Sequence, residues 1–215
     1  MGEARQALHP FPDFCGRVAV LGGGALDRAS LAIGLALRQV RLRGVVLGLD
    51  ASRQKQTEIQ FRLRLRGSAH YWSLPAPGIV PDAIAQNVLS ILSRALEEEK
   101  ARSPLLLLDS VPGEQGWERT VIFLLNAGVT VVEFLPSPAF LIFGRYDTVL
   151  LLRADGETAD KISRAVGRKV SSDELASLQS GEGVLIHLAR VQRVSLPETV
   201  SEVMTRGRND LCDGR

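Results

Sequence analysis

Residues 18–39, VAVLGGGALDRASLAIGLALRQ, hold the clearest candidate for chemistry in the chain. An apolar run ends at Gly22, Gly23 and Gly24, and an amphipathic segment follows. That rhythm suits a phosphate-binding loop of the form GxxxxGK[ST]. In such a loop the backbone amides and a helix N-terminus cradle the phosphates. The Lys reaches the β- and γ-phosphates, and the Ser or Thr hydroxyl binds magnesium. Gly22 starts the count correctly, but Asp27, Arg28 and Ala29 stand at the Gly-Lys-Ser/Thr end. The spacing therefore predicts the shape of a nucleotide loop without its usual chemistry. Arg28 keeps a positive charge, yet its wide fork is not the compact ammonium such a loop closes around. Ala29 has no hydroxyl, and Ser30 comes one residue late, where helical rotation turns it elsewhere. Asp27 is the most adverse change, because it replaces a permissive glycine and sets a carboxylate beside the phosphates. Like charges at ~4 Å repel by roughly 4 kcal/mol at an effective dielectric of about 20. That is about a thousandfold in affinity.

Other residues offer thinner chemistry. Asp109 and Ser110 close the run LLLLDS, and Asp50 closes VVLGLD. The segment FRLRLRG, residues 61–67, alternates strictly. As a strand it would set Arg62, Arg64 and Arg66 on one face and Phe61, Leu63 and Leu65 on the other. Three guanidiniums in a row suit a phosphate backbone or a carboxylate-rich partner, and equally a charged edge strand that resists aggregation. Tyr71 and Trp72 have faces on which bases can stack, or they simply pack a surface loop. His9, His70 and His187 are scattered with no second ligand at metal spacing, and His187 reads as a satisfied core histidine. No Gly-x-Ser-x-Gly elbow is present.

The elements that must position these residues follow from periodicity. Residues 17–22, 44–50, 104–109, 129–134 and 148–153 are short apolar runs that read as buried strands. Helical spacing covers residues 29–41, 117–127 and a long stretch from Pro81 to about Lys100. Two short helices follow the fifth strand, the second opened by the capping pattern Ser171-x-x-Glu174. Residues 184–190, VLIHLAR, read as a final strand. Continuously apolar strands separated by helices predict a mostly parallel sheet covered on both faces, a three-layer α/β domain. It spans residues 13–197, between a loose N-terminal segment, 1–12, and a C-terminal tail, 198–215.

The order of these elements resembles the HerA/FtsK class of P-loop ATPases, including the conjugative coupling and type IV secretion ATPases. A typical loop of that class, GxTGSGKS[ST]LA, aligns without a gap on GGGALDRASLA. Asp50 matches the Asp that ends the next strand, and LLLLDS matches the Walker B strand with Ser110 in the Glu place. FLPS matches a Gln-x-Pro-Ser sensor with Phe134 in the Gln place, and the late GEG with its strand also recurs. The resemblance covers residues 17–197 and implies a P-loop NTPase-like fold. By the same resemblance, Gly22, Gly23, Gly24, Asp27, Arg28, Ala29, Ser30, Asp109, Ser110 and Phe134 form a vestigial nucleotide site. It implies that Ser110 cannot polarise an attacking water and that Phe134 cannot sense a γ-phosphate. The expected function is a non-catalytic relative of DNA-translocating ATPases, with no cofactor beyond weak ATP–magnesium binding. Its partner would be an active ATPase relative, a nuclease or itself in a ring. The alternatives are an active ATPase that uses Arg28, or a DNA-binding module that uses the basic N-terminal half.

Composition bounds these readings. The chain has 215 residues, 45% hydrophobic and 23% charged, which suits one globular domain with a real core. No run approaches the roughly 18 apolar residues of a membrane span, and residues 1–14 lack a signal-peptide core. Cys15 and Cys212 form no metal or disulfide framework, so the cytoplasm is expected. The net charge of +2 is uneven, with residues 1–70 carrying 11 Lys and Arg against 5 Asp and Glu. A basic half can face an anionic partner or an acidic neighbouring subunit, Glu97, Glu98 and Glu99 among the candidates.

Overall fold

The computed structural model describes residues 9–42, 44–52, 58, 61, 65, 69–75, 79–97, 104–111, 115–188 and 190–197. The chain runs β1 (Arg17–Leu21), α1 (Ala25–Arg41), β2 (Val46–Asp50), β3 (Ala69–Ser73), α2 (Asp82–Glu97) and β4 (Leu105–Asp109). It continues through α3 (Gln115–Asn126), β5 (Thr130–Phe134), β6 (Thr148–Leu151), α4 (Gly156–Ala165), α5 (Ser172–Ser177), β7 (Glu182–His187) and β8 (Arg190–Ser195). All eight strands join one sheet in the order β3-β2-β4-β5-β1-β6-β7-β8. The pairings from β3 through to β6 are parallel, and β6-β7 and β7-β8 are antiparallel.

The apolar runs are continuous because both faces of the sheet are covered. On one face Val18, Val20, Val132 and Phe134 meet Leu31 and Leu35 of α1, together with Phe61 and Leu65. On the other face Leu47, Leu49, Leu106 and Leu108 meet Val88 and Leu92 of α2 and Val121 and Leu124 of α3. Beside them Ala19, Leu21, Val149 and Leu151 meet Ala159 and Ile162 of α4 and Leu175 of α5. Each fully buried Leu or Ile contributes roughly 1.5–3 kcal/mol, so these two layers fix which strand ends lie together. Ser171 caps α5 as its pattern predicts, its Oγ accepting from Glu174 N at 3.1 Å.

Several expectations are corrected. Phe61 and Leu65 have helical backbone and are buried, which is the i, i+4 face of a helix rather than an alternating strand. Arg62, Arg64 and Arg66 lie outside the described residues, as do Glu98 and Glu99. Helix α1 starts at Ala25, four residues before the expected Ala29. The HYWS segment is strand β3 rather than loop, and the last apolar run is a hairpin, with β8 following β7. Gly48 admits β3, since a Cβ there would stand 2.7 Å from Tyr71 Cδ2. His187 ends β7 exposed, with its Nδ1 2.8 Å from Thr148 Oγ1. Residues 1–8 and the expected tail 198–215 lie outside the described residues, and His9 N donates to Arg193 O at 3.1 Å while His9 O accepts from Ser195 N at 3.0 Å.

Candidate functional site

The carboxyl ends of β1, β2, β4, β5 and β6 converge at one edge, where ligand crevices of open parallel sheets form. The glycine loop lies there. Gly22 takes φ +81°, and a Cβ on it would stand 2.6 Å from Leu152 O, so a glycine is required for both reasons. Gly23 N donates to Arg153 O at 2.8 Å, which anchors the loop to the end of β6. Asp27 then turns back on the loop, where its Oδ2 accepts from Gly24 N at 3.0 Å. A carboxylate in the first turn of α1 thus takes a loop amide and complements the positive helix end.

Arg28 leaves the same turn and crosses the crevice. Its Nη2 donates to Asp109 Oδ1 at 2.5 Å and to Phe134 O at 2.9 Å, and its Nη1 donates to Leu135 O at 3.3 Å. Both side chains of the ion pair are largely shielded from water, 13% and 16% exposed. Ser110 Oγ donates to the same Asp109 oxygen at 2.9 Å, and Ser110 N donates to Phe134 O at 3.0 Å. Burial pushes the Asp109 carboxyl above its ordinary value, the Arg28 charge pulls it back, and nearby Asp50 pushes it up again. Ser110 sits at φ +56°, a left-handed conformation uncommon for a non-glycine and of the kind that clusters at functional sites. Phe134 contributes its carbonyl to the crevice, while its ring is buried in the core, 5.7 Å from Arg28 Cζ.

Asp50 lies beside Asp109 in strand register and is buried. Its Oδ1 accepts from Ser52 N at 2.6 Å, and its Oδ2 accepts from the Tyr71 hydroxyl. Burial and then Asp50 hold the Tyr71 phenol well above its ordinary range. Tyr71 packs on Phe61 at 4.8 Å between ring centroids, so it serves the acidic pair rather than offering a free face to a base. Trp72 stacks on His70 at 5.9 Å. Ala29 and Ser30 are half-buried in α1. The expected residues of the loop, Asp109, Ser110 and Phe134 therefore meet in one crevice, joined by Asp50, Ser52 and Tyr71. The sequence offered Tyr71 as a stacking face and gave no signal for its bond to Asp50, which lies 21 residues away across a strand pairing. Among the described residues there is no cluster of three His, Cys, Asp or Glu that can hold a metal ion.

A second polar cluster lies under the connection from β5 to β6. Arg17 donates to both oxygens of Glu118 at 2.6 and 2.8 Å and to Glu133 Oε1 at 2.8 Å, and Tyr146 donates to Glu133 Oε2 at 2.8 Å. Every one of these groups is satisfied by another of them, as buried charge demands.

No family model matches the sequence, and no curated protein matches it. Solved structures do match its fold. B204, the DNA-packaging ATPase from Sulfolobus Turreted Icosahedral Virus, has a TM-score of 0.58 at 9% identity over 84% of this chain and 97% of its own. The genome packaging NTPase B204 from Sulfolobus turreted icosahedral virus 2, in complex with ATP-gammaS, gives 0.55 at 8% identity over 85% and 98%. VirB4 of Thermoanaerobacter pseudethanolicus gives 0.53 at 13% identity over 87% and 90%. The chain has the P-loop NTPase-like fold that the element order implied. The match spans nearly the whole length of both B204 structures. No helix among the described residues is long and apolar enough to cross a membrane.

Proposed function

We propose that this protein is a non-catalytic relative of DNA-packaging and DNA-translocating P-loop ATPases that acts as a binding or assembly component. One observation carries the reading. The site ligates itself, with the Asp27 carboxylate on a loop amide and the Arg28 guanidinium on Asp109. A triphosphate entering the loop must displace a carboxylate from Gly24 N, and a magnesium ion approaching Asp109 must displace a guanidinium from it. These residues do not fit ATP and magnesium as a P-loop normally holds them. Its partner is a protein, either an active ATPase relative, a nuclease or a second copy.

Isothermal titration of the full chain with ATP and magnesium tests this, together with a steady-state phosphate-release assay. The expected result is no saturable heat below millimolar ATP and no release above background. A micromolar dissociation constant, or turnover abolished by Arg28→Ala, would establish the competing reading, an ATPase that uses Arg28.

A further inference from the structure

Apolar side chains scattered singly on a surface mean little, whereas a contiguous set marks an interaction site. Helix α3 exposes Ile122 (47%) and Phe123 (61%), and the connection from β5 to β6 exposes Phe140 (45%), Ile142 (49%) and Phe143 (38%). The two elements meet at an ion pair. Arg145 Nη1, at the end of the turn Phe143–Arg145, lies 3.8 Å from Glu118 Oε1 of α3, and Ile122 is one helical turn beyond Glu118. The rim is cationic. Exposed Arg119 stands one turn before Ile122 and Phe123, Arg145 is half-exposed, and Lys169 lies 5.5 Å over the Phe143 ring. Glu118 and Glu133 together carry one charge more than Arg17 supplies, and Arg145 stands against Glu118, so the surplus cations of this rim are Arg119 and Lys169.

We propose that this face is a docking surface for a partner protein segment that presents apolar side chains among acidic ones. The proposal rests on the reading of the chain as a binding component. Charge decides the occupant. A face-to-face pairing of two copies would set Arg119 and Lys169 against cations of the same set, whereas an acidic partner pairs with them. The apolar centre includes two isoleucines, which give base stacking nothing, so a protein fits better than single-stranded DNA. The surface also connects to the crevice by the chain itself. The connection begins at Leu135, whose carbonyl accepts from Arg28.

The test uses fluorescence anisotropy with the full chain and three labelled probes. One is an amphipathic helical peptide with Leu and Phe at i, i+3, i+4 and i+7 and Glu elsewhere. The second carries Lys in place of every Glu, and the third is a single-stranded oligonucleotide. The acidic peptide is expected to bind at least about tenfold more tightly than the basic one, and more weakly as salt rises. Phe123→Glu, Ile142→Glu and the pair Arg119→Glu with Lys169→Glu should each weaken it by about tenfold or more. All three change exposed side chains, and circular dichroism checks that each variant folds. Equal binding of the two peptides, binding of neither, or binding unchanged by the variants would overturn the proposal. So would an oligonucleotide that needs these residues, or a dimer in light scattering that Phe123→Glu dissolves. ATP turnover by the same preparation would refute the non-catalytic reading and leave the peptide result standing.

Discussion

Two adjacent side chains decide the character of the crevice. Asp27 and Arg28 occupy the end of a loop whose glycines are otherwise intact, and each has found a protein partner. Removing both carries a direct consequence. In Asp27→Gly with Arg28→Lys and Ala29→Ser, the loop amide is freed, Asp109 loses its guanidinium, and a hydroxyl is supplied of the kind that binds magnesium in a P-loop. A fluorescent ATP analogue should then bind measurably, while phosphate release stays at background because Ser110 has no carboxylate to polarise water. Turnover well above background would show that the catalytic role of the Ser110 place was misassigned. Asp27→Ala alone removes a helix-end contact and should lower stability by about 0.3–1 kcal/mol, read by urea denaturation.

Strand β1 is held to α3 and β5 by charge as well as by apolar packing. Arg17 bridges Glu118 and Glu133, and loss of one partner from such a buried set typically costs about 3–5 kcal/mol. Arg17→Met should show a deficit of that order at neutral pH. The sign with pH follows from the two carboxyls. Burial raises Glu133 above its ordinary 4.5, so its ionised form costs stability as pH rises through the folded value. The hydrogen bond from Arg17 lowers Glu118, so Glu118 stabilises the fold above 4.5 and loses that contribution as pH falls through its lower folded value. Without Arg17 the first penalty grows and the second benefit disappears. The deficit of Arg17→Met should therefore be largest near neutrality and narrow as pH falls toward 4.5. Denaturant midpoints at several pH values check this, and a pH-independent deficit would contradict it.

The two ends of the described chain meet across the sheet. His9 exchanges backbone hydrogen bonds with Arg193 and Ser195 on the outer edge of β8, and Phe11 O and Pro12 O accept from Arg38 of α1. An edge strand left bare is a template for pairing with other chains. Deleting residues 1–12 should therefore speed amide exchange at Ser195, whose N–H loses its acceptor, far more than at Val149 in the interior of the sheet. The truncated chain should also aggregate faster on storage. Uniform acceleration across the sheet would instead mean that the segment supports global stability.

Strands β1, β2, β4, β5 and β6, the glycine loop before α1 and the Ser171 cap were legible in the sequence, because each is written in a few consecutive residues. A buried parallel strand is apolar at most positions, and a capping pattern spans one turn. The rest depended on residues far apart in the chain. Strand β3, with its sequence AHYWS, exists because Gly48 of β2 makes room for Tyr71, and β8 exists because β7 and His9 pair with it. Phe61 and Leu65 alternate with arginines as a strand would, and only their burial against α1 and the sheet selects the helical spacing. The partner of Arg28 could not be read locally at all. Asp109 is 81 residues away, and the pair forms because the folded sheet brings the ends of β1, β4 and β5 to one edge. The sequence alone determined which side chains the loop carries. The tertiary structure decided what they hold, since a buried charge takes whichever partner the assembled strand ends present.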